Sequence, residues 1–146
     1  MVQHIADDDW LLSPALAPLP AAMARNGLVF DALVLPRHLP RLLHVVDHHL
    51  DLEFELDHCG KPRLATGEIA TWQCDIALLA EHPNIVCKLS GLLTEAAPDW
   101  QIADLRRRWI MLLRASGRSA CCGEATGRWS IWRGLMQNGS PPPKPC

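Results

Sequence analysis

Three short apolar runs, 28–35, 52–56 and 85–89, recur along this chain, and a helix-length segment separates each from the next. This alternation limits the fold more than any other feature, because parallel strands need a crossover of about a dozen residues or more whereas hairpins do not. The first run, LVFDALVL, is apolar and partly β-branched, as a strand buried on both faces is, and Pro36 ends it. The next segment repeats Leu39, Leu42, Leu43, Val45 and Val46 up to His49, the stripe of an amphipathic helix with histidines and arginines on its wet side. Leu52–Leu56 predicts a second strand, and residues 67–82 a helix through Ile69, Trp72, Ile76, Leu79 and Ala80. Pro83 and Asn84 then break the chain before the third strand. Val2–Ile5 predicts an additional short strand, Pro20–Asn26 a helix stopped by Gly27, and the region from Asp99 through Leu105 a further helix. The pattern is α/β with a parallel sheet and right-handed crossovers.

The strand ends carry the chemistry. The segment LEFELDHCGKP, Leu52–Pro62, ends its strand in Asp57, His58 and a Gly/Lys/Pro turn, and IVCKLSG, Ile85–Gly91, carries Lys88 and Ser90 to its own break at Gly91. Parallel barrels keep catalytic residues at the C-terminal ends of strands, so two polar ends one helix apart predict a shared active face. Asp57 precedes His58 and by alternation faces the other side of the strand, as a packing or supporting group. Asp31, inside the first run, is either a strand-end functional carboxylate or a hydrogen-bonded interior group. His44 and His48 have metal-capable spacing, with His38 and His49 nearby; no acidic or thiol partner converges on them, and a solvated helix face is the better account. Asp7, Asp8 and Asp9 are expected as loop or helix-entry charges.

Composition narrows the class. A chain of 146 residues with 49% hydrophobic and 21% charged side chains has material for one cored domain. The net charge of −2, without a basic stripe, leaves no footprint for nucleic acid or an anionic membrane. No apolar run reaches bilayer length and MVQHIADDDW lacks a signal-peptide pattern, so a cytoplasmic location is expected. The six cysteines form no C-x-x-C pair and are expected to be reduced and mostly buried.

Taken together, NGLVFDALVLPRHLP, FELDHCGKP, the tryptophan-bearing helix and HPNIVCKLSGLLTEA resemble the amidohydrolase-related hydrolases, the group that holds fuconolactonase-type sugar lactonases and pyrone-dicarboxylate lactonases. The resemblance covers about residues 2–105. It implies part of a (β/α)8 barrel, three to four consecutive βα units, with its site at the strand C-termini. It further implies that His58 is the strand-end histidine, either a ligand to a divalent metal such as zinc or a direct polariser of the carbonyl. Lys88 and Ser90 become donors to substrate, although Lys88 could equally cap and solvate its strand. The implied substrate is a small lactone. Family members also carry an early H-x-H pair and a late aspartate in W-G-S-D-W-P, and neither motif is in this sequence. A full barrel takes about 250 residues. The chain is therefore expected to be an inactive portion of such an enzyme, its open sheet edges favouring self-association or a protein partner.

Residues 107–146 depart from the pattern, with RRWIMLLRASGRSACCGEATGRWSIWRG and a terminal SPPPKPC, so the expected division is a partial barrel over 1–106 and a non-family tail over 107–146. Permitted synonymous codons for Ala115 through Gly139, read in the neighbouring frame, yield F-G-P-E-R-L-L-W-G-S-D-W-P-V-V-N-L-A-G-T-Y-A-E-W, the missing segment in its proper place. The hypothesis is a one-nucleotide deletion between about Asp104 and Arg114. Resequencing codons 100–146 and the upstream DNA is expected to show W-G-S-D-W-P in the shifted frame; a coding strand without it would sink the idea.

Overall fold

The computed structural model describes residues 4–88, 90–99 and 101, together with the backbone of 121–122. Two 3-10 turns, Trp10–Leu12 and Pro14–Leu16, lead into α1 (Leu19–Arg25), β1 (Val29–Ala32), α2 (Leu39–His48), β2 (Glu53–Leu56), α3 (Ala70–Leu79), β3 (Ile85–Lys88) and β4 (Cys121–Cys122). The strands form one parallel sheet in the order β1-β2-β3-β4. Consecutive strands are thus neighbours, with α2 connecting β1 to β2 and α3 connecting β2 to β3, and over these units the expected α/β alternation is the observed one.

Each element follows from its residues. Pro36 stops the extended chain and opens a 3-10 turn, Pro36–His38, that runs into α2, where Pro40 sits in the first turn without costing a helical hydrogen bond. Leu39, Leu42, Val45 and Val46 form the buried stripe of α2, and Trp72, Ile76 and Leu79 that of α3. These stripes cover the face of the sheet that carries Phe54, Leu56, Ile85 and Cys87, and all belong to one apolar cluster. Phe54 is completely buried, worth about 1.5–3 kcal/mol, and its ring lies 5.6 Å from that of Phe30 on β1. The buried Asn84 joins the layers: its Nδ2 donates to the carbonyls of His49 (3.0 Å) and Leu52 (3.1 Å), fastening the end of α2 and the entry to β2 onto the start of β3.

Several expectations are adjusted. Helix α3 begins at Ala70 rather than Gly67, because an Arg63–Glu68 bridge and a positive φ at Gly67 hold the preceding residues in a turn. His4 and Ile5 are not in a strand; Val2, and the helix expected beyond Asp99, lie outside the described residues except at Gln101. Cys59 is a free, buried thiol and Cys87 is buried, as expected, but Cys74 is disulfide-bonded. The expected loop charges at Asp8 and Asp9 form ion pairs with Arg37 (2.6 Å) and Arg41 (2.7 Å), tying the N-terminal turns to α2. His38 is not on the wet side of its helix: it is fully buried, and its Nδ1 accepts from the Leu35 backbone N–H at 3.2 Å.

Burial, reinforced by the charge of Arg37, pushes the His38 imidazole below its ordinary value of 6.5. The folded protein then resists a proton that the unfolded chain accepts, so the stabilisation is full above pH 6.5 and is lost as pH falls below it. The urea midpoint of the wild type is expected to drop between pH 7.5 and 5.5 by more than that of His38→Asn, which keeps an acceptor for Leu35. Parallel curves for the two proteins would rule out this role.

Candidate functional site

Alternation along the three main strands divides the sheet into two faces. Phe54, Leu56, Ile85 and Cys87 face the helices, while Asp31, Glu55 and Lys88 occupy the other set of positions. Register then brings the second set together, since Asp31 pairs with Glu55 across β1 and β2, and Glu55 with Val86 across β2 and β3. The Lys88 Nζ lies 2.8 Å from Asp57 Oδ1, 3.4 Å from Glu55 Oε1 and 3.7 Å from Asp31 Oδ1. Lys88 is therefore not simply a solvated strand end; its ammonium bridges the ends of three strands. The hydrogen bond to Asp57 holds the Lys88 pKa well above its ordinary value. For Asp57, burial acts to raise the pKa, but hydrogen bonds from Lys88 and Asp31 outweigh it and hold the carboxyl below the usual range. Burial and the Asp57 hydrogen bond raise that of Asp31.

Asp57, expected as a packing or supporting group turned away from His58, continues the alternation of Glu55 onto the Lys88 face and holds the ammonium there. What changes direction is the next residue. His58, Cys59, Gly60 and Lys61 have φ of 49°, 54°, 66° and 51°, a left-handed turn closed by the Lys61 N–H donating to the His58 carbonyl at 2.9 Å. Each non-glycine residue there costs about 1–2 kcal/mol, and such strain persists where surroundings over-determine it. The turn sets the His58 Nδ1 at 2.8 Å from Ser90 Oγ, so the two residues singled out on separate strand ends meet. The Trp72 indole N–H donates to the Cys59 carbonyl at 2.8 Å, and the Cys59 thiol donates to the Lys88 carbonyl at 3.2 Å. Lys61 pairs with Glu95 at 3.4 Å, joining the loops that follow β2 and β3.

These residues do not fit a resident metal. The three carboxylates converge on an ammonium instead of an open centre, and among the described residues no group of three His, Cys, Asp or Glu is arranged to hold an ion. On α2, the His44 and His48 rings stack with centroids 4.1 Å apart, and His48 Nδ1 is engaged by the His44 carbonyl at 2.7 Å, so they form no chelating pair. A groove of about 370 Å³, lined in part by His44, Asp47, Glu81 and His82, shares no residue with the strand-end cluster. Among the described residues no helix is long and apolar enough to cross a membrane.

Known proteins resemble this chain in sequence and in fold. The sequence matches the amidohydrolase family over residues 2–122. An L-fucono-1,5-lactonase of Burkholderia ambifaria is 49% identical over 98 residues, covering 67% of this chain and 34% of that protein. An L-fucono-1,5-lactonase of Burkholderia multivorans is 41% identical over 86 residues, covering 56% and 28%. A Burkholderia multivorans amidohydrolase, whose crystal structures contain HEPES in one form and zinc in another, superposes with a TM-score of 0.75 at 32% and 33% identity, covering 84% of this chain and 46% of that one. The chain spans about a third of the length of these curated relatives, and its sheet is part of a (β/α)8 barrel.

Gly91 is the close-approach residue of the cluster. It has φ +68°, and a Cβ there would lie 2.7 Å from both Cβ and Cγ of His58. Gly91→Ala is expected to cost at least about 1–2 kcal/mol of stability by urea unfolding and to separate His58 from Ser90. A variant as stable as wild type would contradict the packing.

Proposed function

This chain belongs to the amidohydrolase family, and we propose that its described residues form the strand-end portion of a lactonase site for a neutral, polyhydroxylated lactone. The His58–Ser90 pair beside Lys88, at the C-terminal ends of adjacent parallel strands, carries this reading. Lactone hydrolysis places negative charge on the former carbonyl oxygen as water attacks, so a preorganised donor aimed at that oxygen lowers the barrier. With the Ser90 hydroxyl donating to Nδ1, the imidazole proton resides on Nε2, and the Nε2–H is the donor available to the carbonyl.

Charge supports the choice of substrate. Three carboxylates surround one ammonium in the Lys88 cluster, while Lys61 is matched by Glu95. An acidic excess disfavours a dicarboxylated lactone and suits sugar hydroxyls, which donate to carboxylates; Asp31, with a 62% exposed side chain, is the most open acceptor. The names of the two curated lactonases point the same way. Zinc in a solved relative makes metal use part of the proposal for the longer enzymes, where His58 would be the ligand this segment supplies in the opposite tautomer, with Nδ1–H donating to Ser90 and Nε2 free to coordinate. The described residues contribute no complete metal site, and we infer that the chain by itself binds without turnover, in the cytoplasm.

Two features accompany this reading. The codons of Cys121 and Cys122 fall within the L-L-W of the shifted frame, so the frame-shift proposal for the 107–146 tail rests on the codon reading, while the residues as they stand pair with β3 at Cys87 and Lys88. Leu28 and Val29, 54% and 49% exposed at the start of β1, support self-association at that edge.

Calorimetric titration with a 1,5-lactone of a deoxy sugar acid is expected to show binding weakened at least tenfold by Ser90→Ala or Asp31→Asn, with no acid release above the spontaneous rate. Hydrolysis well above that rate would overturn the lack of turnover, and preferential binding of a dicarboxylated lactone would overturn the charge argument.

A further inference from the structure

We propose that Trp72 is a positioning residue for His58, acting through the carbonyl of Cys59. The inference rests on the reading of His58 as a site group and goes beyond it by assigning a function to a residue of the helix layer.

A chain leaving a strand does not enter the left-handed region for consecutive residues unless something holds it there, and three of the four residues from His58 to Lys61 carry a Cβ. Locally, the Lys61 N–H closes the turn onto the His58 carbonyl. The remaining restraints come from outside. The Cys59 thiol reaches the Lys88 carbonyl on β3, and the Trp72 Nε1–H reaches the Cys59 carbonyl from α3. Trp72 is 2% exposed, so that carbonyl is met by the indole and not by bulk solvent. Rotation of the peptide between Cys59 and Gly60 toward ordinary backbone angles would leave a buried indole N–H and a buried carbonyl unpaired, a costly exchange.

The consequence falls on His58. Its ring packs against the Gly91 position and bonds Ser90 through Nδ1, and its backbone belongs to the same turn as Cys59. Fixing the Cys59 carbonyl therefore fixes the direction in which the imidazole leaves the chain. A leucine or phenylalanine at 72 would fill the apolar space but could not supply the donor. The indole N–H, and not only the volume of the ring, is what couples the hydrophobic layer between helices and sheet to the strand-end site.

The test separates the donor from the packing. Trp72 is replaced by benzothienylalanine, which keeps the shape of tryptophan without the N–H, and in a second variant by Trp72→Phe; Ser90→Ala is the control. The readout is the pair of ring 15N shifts of His58 in the whole chain, identified by their loss in His58→Gln. The wild type is expected to show two widely separated shifts, those of a single tautomer with its proton on Nε2. Ser90→Ala and both Trp72 variants are expected to bring the two shifts together, as a ring free to exchange tautomers does. A wild-type pattern in the folded benzothienylalanine protein, with averaging in Ser90→Ala, would overturn the role of Trp72 and leave the His58–Ser90 pair standing. Unchanged shifts in Ser90→Ala would overturn the His58–Ser90 pair itself, and the Trp72 proposal with it.

Discussion

The ammonium of Lys88 is the contact on which the strand ends depend. One side chain on β3 reaches carboxylates from β1, β2 and the residue that follows β2, so the ends of three strands share a single charge. Parallel strands bring like positions into line, and Asp31 and Glu55 are direct neighbours across the sheet. Without a cation these carboxylates would repel one another at a spacing where like charges directly opposite are destabilising. A buried or half-buried ion pair is weak evidence for stability in itself, but removing one partner leaves a charge uncompensated. Lys88 thus permits an acidic layer at the site without splaying the sheet.

A second constraint links this layer to the core. The turn after β2 is left-handed and strained, and it is held from two elements: by Trp72 in the helix layer and by the Lys88 carbonyl on β3. Site geometry and apolar packing are therefore one problem in this chain. The same Cys59 whose side chain is fully buried has a backbone that directs His58 toward Ser90. Strain of this kind concentrates at functional positions because an ordinary backbone would send the side chain elsewhere.

On the proposed reading, the acidic balance around Lys88 and the neutral Lys61–Glu95 pair would suit hydroxyl groups more than anions. Among the described residues the carboxylates are engaged by a lysine and not gathered around an open centre. The chemistry assembled here is that of donors and acceptors held in place, which is how a site orients a neutral substrate before any bond changes.

Much of this was legible in the residues alone. Periodicities of two and of 3.6, punctuated by Pro36, Pro83 and Gly91, determined the α/β alternation and the core stripes, because burying an apolar face is a local requirement that each segment must meet. The positions of His58, Lys88 and Ser90 at strand ends were likewise readable, since the breaks that follow them are written in glycine and proline. Tertiary structure alone decided what those residues touch. The meeting of Asp31, Glu55 and Asp57 at Lys88 depends on register between strands about thirty residues apart in sequence, although their alternation was a signal that could have exposed it. The burial of His38, the indole bond to Cys59 and the left-handed path at His58 had no such signal. They arise where separate elements pack, and a hydrogen bond between distant segments leaves no periodicity in either one.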